Sequence, residues 1–477
     1  TFWAVVAAAV ACSAAGGQVL ENPVTMSGGQ SHMCITDGSS IYCWGENRDG
    51  QCGGGSKLDK VPLDNATKVI LPASKANVGI KQISAGLHHT CVLFEDGSMV
   101  TFGGNSLEEL GVPYDVDAIA SEEDLRALKP LDFRDKVKQI SCHAGGSSAA
   151  LLEDGSVHIW GEFCKKFECA KPGAEPLPLD GPASQVDCQS EFCGIVMESG
   201  EIYFIGDGRR GRLGSGSPKD VTSVTKATNL PFAAPIAPYS IELGPSYACV
   251  KDQTGLRCWG DKSKGTLGYC PKNHVGDAAK EMETIVDQNR FNGTILQVST
   301  AEAHQCILLD SGKLKCVGQG DGGRLGYSAT APRACRTFDV AEYAGLNLSA
   351  VALATTETST CALLGNTTTL CFGGEYSTDS KDPIASGTSY LFDLSYGQDP
   401  VEVTDEPKKN EKTPKPTKTP TQRPTKAPKT SKPTKAPTQR PTKAPVTEKP
   451  TKAPTQRPTK APETQRPTKA PTTGKPT

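Results

Sequence analysis

Short apolar runs alternate with glycine-bearing turns along most of this chain. HMCIT, HTCVLFE, SAALLE, CGIVME, YACVKD, HQCILLD and TCALL read as strands. Each is followed by a second run that ends in glycine: IYCWG, MVTFG, VHIWG, IYFIG, LRCWG, LKCVG and LCFG. Between the runs lie dipeptides such as Asp37-Gly38, Asp96-Gly97, Asp154-Gly155, Ser199-Gly200 and Ser311-Gly312. Glycine there accepts the positive φ of a tight hairpin. A smaller apolar run ending in glycine, residues 83–86, precedes the best-defined pair.

The closing glycines form a ruler: Gly45, Gly103, Gly161, Gly206, Gly260, Gly318 and Gly373. Their spacings are 58, 58, 45, 54, 58 and 55 residues, so seven copies of one unit follow one another. Several copies run on into a second glycine pair: NRDGQCG, GRRGRLG, KSKGTLG and GDGGRLG. Each unit predicts a β-meander of about four strands that cannot bury both of its faces alone. Radial stacking buries them, which is the logic of a propeller.

Residues 83–105, ISAGLHHTCVLFEDGSMVTFGGN, together with GRLG and GTLG after other copies, resemble the repeats of the regulator of chromosome condensation family. The resemblance covers roughly residues 24–380. It implies a seven-bladed β-propeller. The fold expected is all-β: a seven-bladed β-propeller over residues 18–400, followed by a disordered Pro/Thr/Lys-rich tail over 401–477. To protect the ring's open edge, either residues 18–25 or residues 390–395 (YLFDLS) should add a strand to the last blade.

The chain opens TFWAVVAAAVACSAAGG, an apolar run with small residues after it, and residues 1–17 are expected to be a partial signal peptide. The cysteines agree with an extracellular setting. Four pairs flank their turns symmetrically: Cys34/Cys43, Cys249/Cys258, Cys306/Cys316 and Cys361/Cys371. Facing positions on adjacent strands lie within disulfide range, and the pairs are expected to be bonded. Cys164/Cys169 and Cys188/Cys193 are further local pairs. Cys52, Cys91, Cys142, Cys270 and Cys335 have no deducible connectivity. Asn65, Asn292, Asn347 and Asn366 head N-x-S/T sequons, which become glycan acceptors in a secreted chain.

Charge is divided along the sequence. Residues 407–477 hold 19 Lys/Arg and 3 Asp/Glu, a net of +16, whereas the remainder has a net of −18. TQRPTKAP begins at Thr421, Thr438, Thr455 and Thr464. Proline at this density excludes helices and ladders, and Thr beside Pro suits O-glycosylation.

Sites of chemistry are mostly absent from the sequence. His32, His89 and His304 each stand two residues before a cysteine of the repeat, which argues for hydrogen bonds between neighbouring strands. Trp44, Trp160 and Trp259 recur before the closing glycine and read as packing. No phosphate loop, G-x-S-x-G, H-E-x-x-H or EF-hand pattern occurs, so no catalytic, cofactor or metal residue is assigned. Residues 118–129 predict a short helix capped by Ser121, and residues 276–288 a possible second; both are insertions and candidate binding loops. The function expected is recognition of a protein or glycan partner on a propeller face by a secreted monomer that is not an enzyme and needs no cofactor. The basic tail is expected to tether it to anionic polysaccharide or matrix, and no nucleic acid is expected as partner. Two alternatives remain open: an extracellular enzyme with its site in the central funnel, and a guanine-nucleotide exchange-type regulator.

Overall fold

The computed structural model describes residues 25–404, apart from short stretches of which the longest are 231–239, 327–337, 340–348 and 375–387. The chain separates into two compact units, Thr1–Lys408 and Lys409–Thr477, and the second lies outside the described residues.

Seven antiparallel sheets follow one another along the first unit, one for each sequence repeat. In each, the strand before the first apolar run lies innermost, and the two apolar runs form the middle of the blade. The register places each closing glycine opposite the residue that starts the preceding strand, as in His32↔Gly45, His89↔Gly103 and His304↔Gly318. All seven glycines have φ between 94° and 124°, a region that L residues avoid. A Cβ on Gly318 would run into the Ala303 carbonyl.

The apolar runs are buried on both faces because every blade is sandwiched between two others. His89–Phe94, Ser147–Leu152, Phe192–Met197 and His304–Leu309 are buried throughout. Trp44, Trp160 and Trp259 are fully buried. Phe204 meets Trp259 edge-on at 6.2 Å across the junction of blades four and five.

The inner strands are Thr25–Gly28, Ile80–Ala85, Val137–His143, Ala183–Gln189, Ser240–Gly244, Ile295–Thr300 and Ala350–Thr355. Each touches the next, and the last returns to the first, so the ring is closed. The last blade gains Thr388–Asp393 beside Thr368–Gly373, which takes in residues 390–393 of the expected 390–395; residues 394 and 395 lie outside the described residues. Val401–Thr404 then adds a fifth strand, carrying the blade past the expected boundary at residue 400. Thr25 opens the innermost strand of blade one rather than joining blade seven.

The two insertions differ from expectation in extent. The helix runs only from Glu122 to Ala127, because Ala118–Ile119 is spent on a strand; Ser121 caps it by accepting from the Asp124 amide at 3.1 Å. Among the described residues of the second insertion lies a 3-10 turn, Glu281–Thr284.

Candidate functional site

Three repeated devices fix the walls of the ring before any ligand need be considered. The first is a side-chain clamp between inner strands. Gln82 Nε2 donates to the Ile140 carbonyl at 2.8 Å while its Oε1 accepts from the Ile140 amide at 3.0 Å. Gln139 does this to Val186, Gln185 to Ile241 and Gln297 to Leu353. Two residues on, Ser84 clamps Cys142, and Ser299 accepts from the Thr355 amide. An inner strand has one edge with no strand beside it, and these side chains satisfy its amides and carbonyls.

The second device uses the recurring histidines. His32 Nε2 meets the Thr90 hydroxyl at 2.9 Å, His89 meets Ser148 at 2.8 Å, and His304 meets Thr360 at 2.9 Å. Each hydroxyl gives its proton to a loop carbonyl, Gln51, Glu109 or Arg324. It must therefore accept from the ring, which makes Nε2–H the tautomer. The bonds join neighbouring blades. Burial holds the His32 and His304 rings neutral, with pKa values lowered to about 3.

The third device explains the L-G signature. The carbonyl of the residue before it, in EELG and GRLG, is a docking point for the next blade. Trp160 Nε1 donates to the Glu109 carbonyl and Trp259 Nε1 to the Arg212 carbonyl, both at 3.0 Å.

Seven disulfides lie among the described residues. Cys34–Cys43, Cys249–Cys258, Cys306–Cys316 and Cys361–Cys371 are bonded within their hairpins, with Cα atoms 4.1–4.2 Å apart. Cys164–Cys169 and Cys188–Cys193 are bonded locally. Cys91–Cys142 ties blade two to blade three. His89 stands beside this last pair, but the group is a structural crosslink whose sulfurs are already committed. Cys52 is a buried free thiol, pushed up to about 12 by burial. Cys270 and Cys335 lie outside the described residues. Asn65 is exposed at the end of the 3-10 turn Leu63–Asn65; Asn292, Asn347 and Asn366 lie outside the described residues.

A cavity of about 640 Å³ opens where the turns that follow the inner strands converge. Blades one, four, five, six and seven all contribute to it. Blades one and four stand three steps apart around the ring, so only the mouth of the central funnel can serve both. Its wall at blades four and five is cationic: Arg209, Arg210, Arg212 and Lys264. Its wall at blades six and seven carries Glu302 and Glu357, and Glu191 sits beneath Arg209.

The arginines are held from behind. Asp207 accepts from the Arg209 amide at 2.7 Å and from its Nε at 2.5 Å. Asp261, the matching residue one blade on, pairs with Arg210. Burial opposes ionisation of Asp207, yet Arg209 outweighs it and holds the carboxyl at about 2. Asp261 is also lowered, against its burial, by Ser263 and Arg210. Arg212 is buried, donating to the Pro245 carbonyl at 3.0 Å and lying over the Phe192 ring. Lys264 reaches from the cationic wall to bond Glu302 and lowers its pKa; burial and the Glu302 carboxyl raise that of Glu357.

None of these funnel residues was singled out from the sequence. The signal was present in the loops that follow the closing glycines: DGRRGRLG and DKSKGTLG carry the aspartate and the cations at fixed offsets from L-G.

The chain matches the Regulator of chromosome condensation (RCC1) repeat over residues 39–93 and again over residues 80–107. It is 26% identical over 260 residues to the E3 ubiquitin-protein ligase HERC2 of Homo sapiens, covering 52% of this chain and 5% of that protein. It is 29% identical over 200 residues to Protein RCC1 of Candida albicans, covering 40% of each. The chain thus spans well under two thirds of these relatives' lengths. The fold is similar to that in the crystal structure of Kap60 bound to yeast RCC1 (Prp20), with TM-score 0.56 and 17% identity over 70% of this chain and 78% of that one. Seven sheets in seven repeats, the histidine and L-G devices and these matches together make the chain a repeat protein of the regulator of chromosome condensation type.

Proposed function

We propose that this chain is an extracellular recognition propeller that docks a protein partner on its funnel face. The observation that carries the reading is the polar cavity at the ring's centre, lined by turns of five blades and by charges fixed from behind. Clefts with few, well-placed polar groups are where ligands bind. The yeast protein of similar fold is seen bound to a protein, Kap60.

The compartment rests on the seven disulfides, which a reducing cytosol would not maintain. In this reading residues 1–17 are a leader and residues 18–404 the recognition domain. Asn65, Asn292, Asn347 and Asn366 carry glycans. Residues 405–477 tether the propeller to an anionic matrix through their positive charge. A photo-crosslinking residue at Ser246 or Lys264 in the secreted full chain should capture partner, and one at Lys136 on the opposite face should not. Equal capture from both faces would overturn the assignment.

A second reading, an extracellular enzyme, has one observation in its favour. Glu302 and Glu357 have their pKa values pushed apart within the same cavity, as an acid–base pair requires. Turnover of a hydrolase substrate panel that survives Glu357→Gln unchanged would remove it.

A further inference from the structure

We infer that the funnel mouth receives a single carboxylate presented by a protein segment, with Arg209 and Arg210 as its receptor; the inference rests on the funnel-face reading above. The two side chains are 62% and 52% exposed, whereas the Asp207 and Asp261 side chains that orient them are 5% and 2% exposed. Asp207 accepts from Arg209 Nε and Asp261 from Arg210 Nη1, inside the blade, while Glu191 also accepts from Arg209 Nη2 at 2.5 Å, which leaves Arg210 the less committed of the two. The arginine heads remain turned to the cavity in fixed directions. A receptor held this way loses little rotamer freedom on binding, and a guanidinium matches a carboxylate in a forked geometry.

The backbone gives an independent reason to single out Arg210. Its φ is 61° and ψ 17°. The same loop position in blade six is Gly322, with φ 70°. A side chain in this left-handed region is disfavoured by roughly 1–2 kcal/mol. Blade four therefore keeps a guanidinium in a left-handed position that blade six fills with glycine, and strain of this kind accompanies binding sites.

The facing wall limits what the anion can be. Glu302 and Glu357 line the same cavity as the arginines. A polyanionic chain would place a second charge against them. A peptide with one acidic side chain followed by a neutral or basic residue meets no such repulsion. Neutral donors between the walls, Ser246 and Thr356, suit a peptide backbone.

The test uses the secreted full chain and a labelled, capped peptide, GSGEGKS, against its twin GSGQGKS. Fluorescence anisotropy should show the Glu peptide binding at least about tenfold more tightly. That difference should vanish in the Arg209→Gln/Arg210→Gln double variant and survive in part in Arg210→Lys. The double variant must keep its near-ultraviolet circular dichroism, which separates lost recognition from lost fold. The basic tail is unchanged in every variant, so a preference that persists in the double variant belongs to the tail and overturns the inference. Equal binding of the two peptides up to millimolar concentration overturns it too. So does displacement of the Glu peptide by a heparin hexasaccharide that is as strong in the wild type as in a Glu302→Gln/Glu357→Gln variant, because the acidic wall should exclude polyanions. Partner capture at Ser246 without any carboxylate preference would leave the funnel-face reading standing and remove only this refinement.

Discussion

The junction between blades two and three and the junction between blades seven and one join equivalent inner strands by opposite means. At the first, Gln82 and Ser84 make four hydrogen bonds to the neighbouring backbone, His89 reaches Ser148, and Cys91–Cys142 adds a covalent tie. At the second, the places of the glutamine and the serine are taken by Ala352 and Ala354, which pack into one apolar cluster with Met26, Met33 and Ile35. Gly28 passes so close to the Thr355 carbonyl that a Cβ has no room. Two hydrogen bonds are described across this seam, from Glu357 N to the Gln30 carbonyl at 3.1 Å and from Gln30 Nε2 to Glu357 at 3.2 Å. The seam joins the two ends of the ring and so closes the longest loop in the unit. Directional clamps serve neighbours in sequence, whereas apolar contact and close backbone approach serve the step that must wait for all the others. The funnel cavity lies over this seam, since Gly28, Gly29, Gln30 and residues 355–357 line it. A ligand held there would bridge the less clamped junction and stabilise the ring by linkage.

The largest expected effect comes from cutting the covalent tie at the clamped junction. Cys91 and Cys142 are 51 residues apart. Chain-entropy arithmetic for such a loop gives about 4 kcal/mol. Cys91→Ala/Cys142→Ala should lower the urea midpoint accordingly, with the other six bonds intact by mass. A midpoint within error of the wild type would show that the clamps alone set this junction.

Next is the seam. Gly28→Ala would drive a methyl group into the Thr355 carbonyl, and backbone cannot rotate away as a side chain can. Overpacking of this kind costs about 2–3 kcal/mol. Gly320→Ala is the control: its Cβ would meet only the Leu325 side chain, at 3.5 Å. Equal midpoints for the two variants would mean that the seam is open in solution.

Third, Gln82→Met keeps the length of the side chain and removes both arms of one clamp. The Ile140 amide and carbonyl then face an apolar group, which costs about 2 kcal/mol. Ala352→Met, the same side chain at the equivalent seam position, breaks no hydrogen bond that the structure describes. Hydrogen exchange at the Ile140 amide should accelerate in the first variant alone.

How much of this could be read in the sequence follows from what each feature depends on. Strand order, hairpin turns and blade count were legible because glycine at φ near 100° and apolar runs buried on both faces are local requirements with a fixed period. The histidines were legible as structural for the same reason. The clamps were missed: in KQIS only the apolar run from Ile83 stood out, and the strand in fact begins at Ile80 with Gln82 and Ser84 pointing into the next blade. Cys91–Cys142 was not deducible, because its partners lie on different blades and no turn relates them. The funnel residues were hidden by their scatter, since a cavity shared by five blades draws on turns more than 300 residues apart in the chain, as Gln30 and Glu357 are, 327 residues apart.

The smallest effect concerns a liability inside the clamped junction itself. Glu109, whose carbonyl receives both Trp160 and Ser148, is fully buried. Its Oε2 accepts from the Leu107 amide at 2.6 Å, and its Oε1 has no partner. Burial raises its pKa to about 7, and the facing carboxylates of Asp49 and Glu162 add to the shift. A group whose folded pKa lies above its unfolded value, here 4.5, contributes stability that is full below pH 4.5 and is lost as pH rises through 7. Between pH 6 and pH 7 that loss is about 1 kcal/mol. The buried His32 and His304 have lowered folded pKa values, so their contribution is full above the unfolded value of 6.5 and falls as pH drops below it. In this window they pull the other way by a similar amount, and the wild-type curve alone would look flat. Glu109→Gln isolates the carboxyl. Gln51 occupies the same loop position in blade one and accepts from the Asp49 amide at 3.0 Å, so the amide fits the geometry. The difference in stability between the variant and the wild type should therefore grow by about 1 kcal/mol from pH 6 to pH 7. A constant difference across the window would mean that Glu109 is ionised and satisfied throughout, and that the clamped junction carries no such liability.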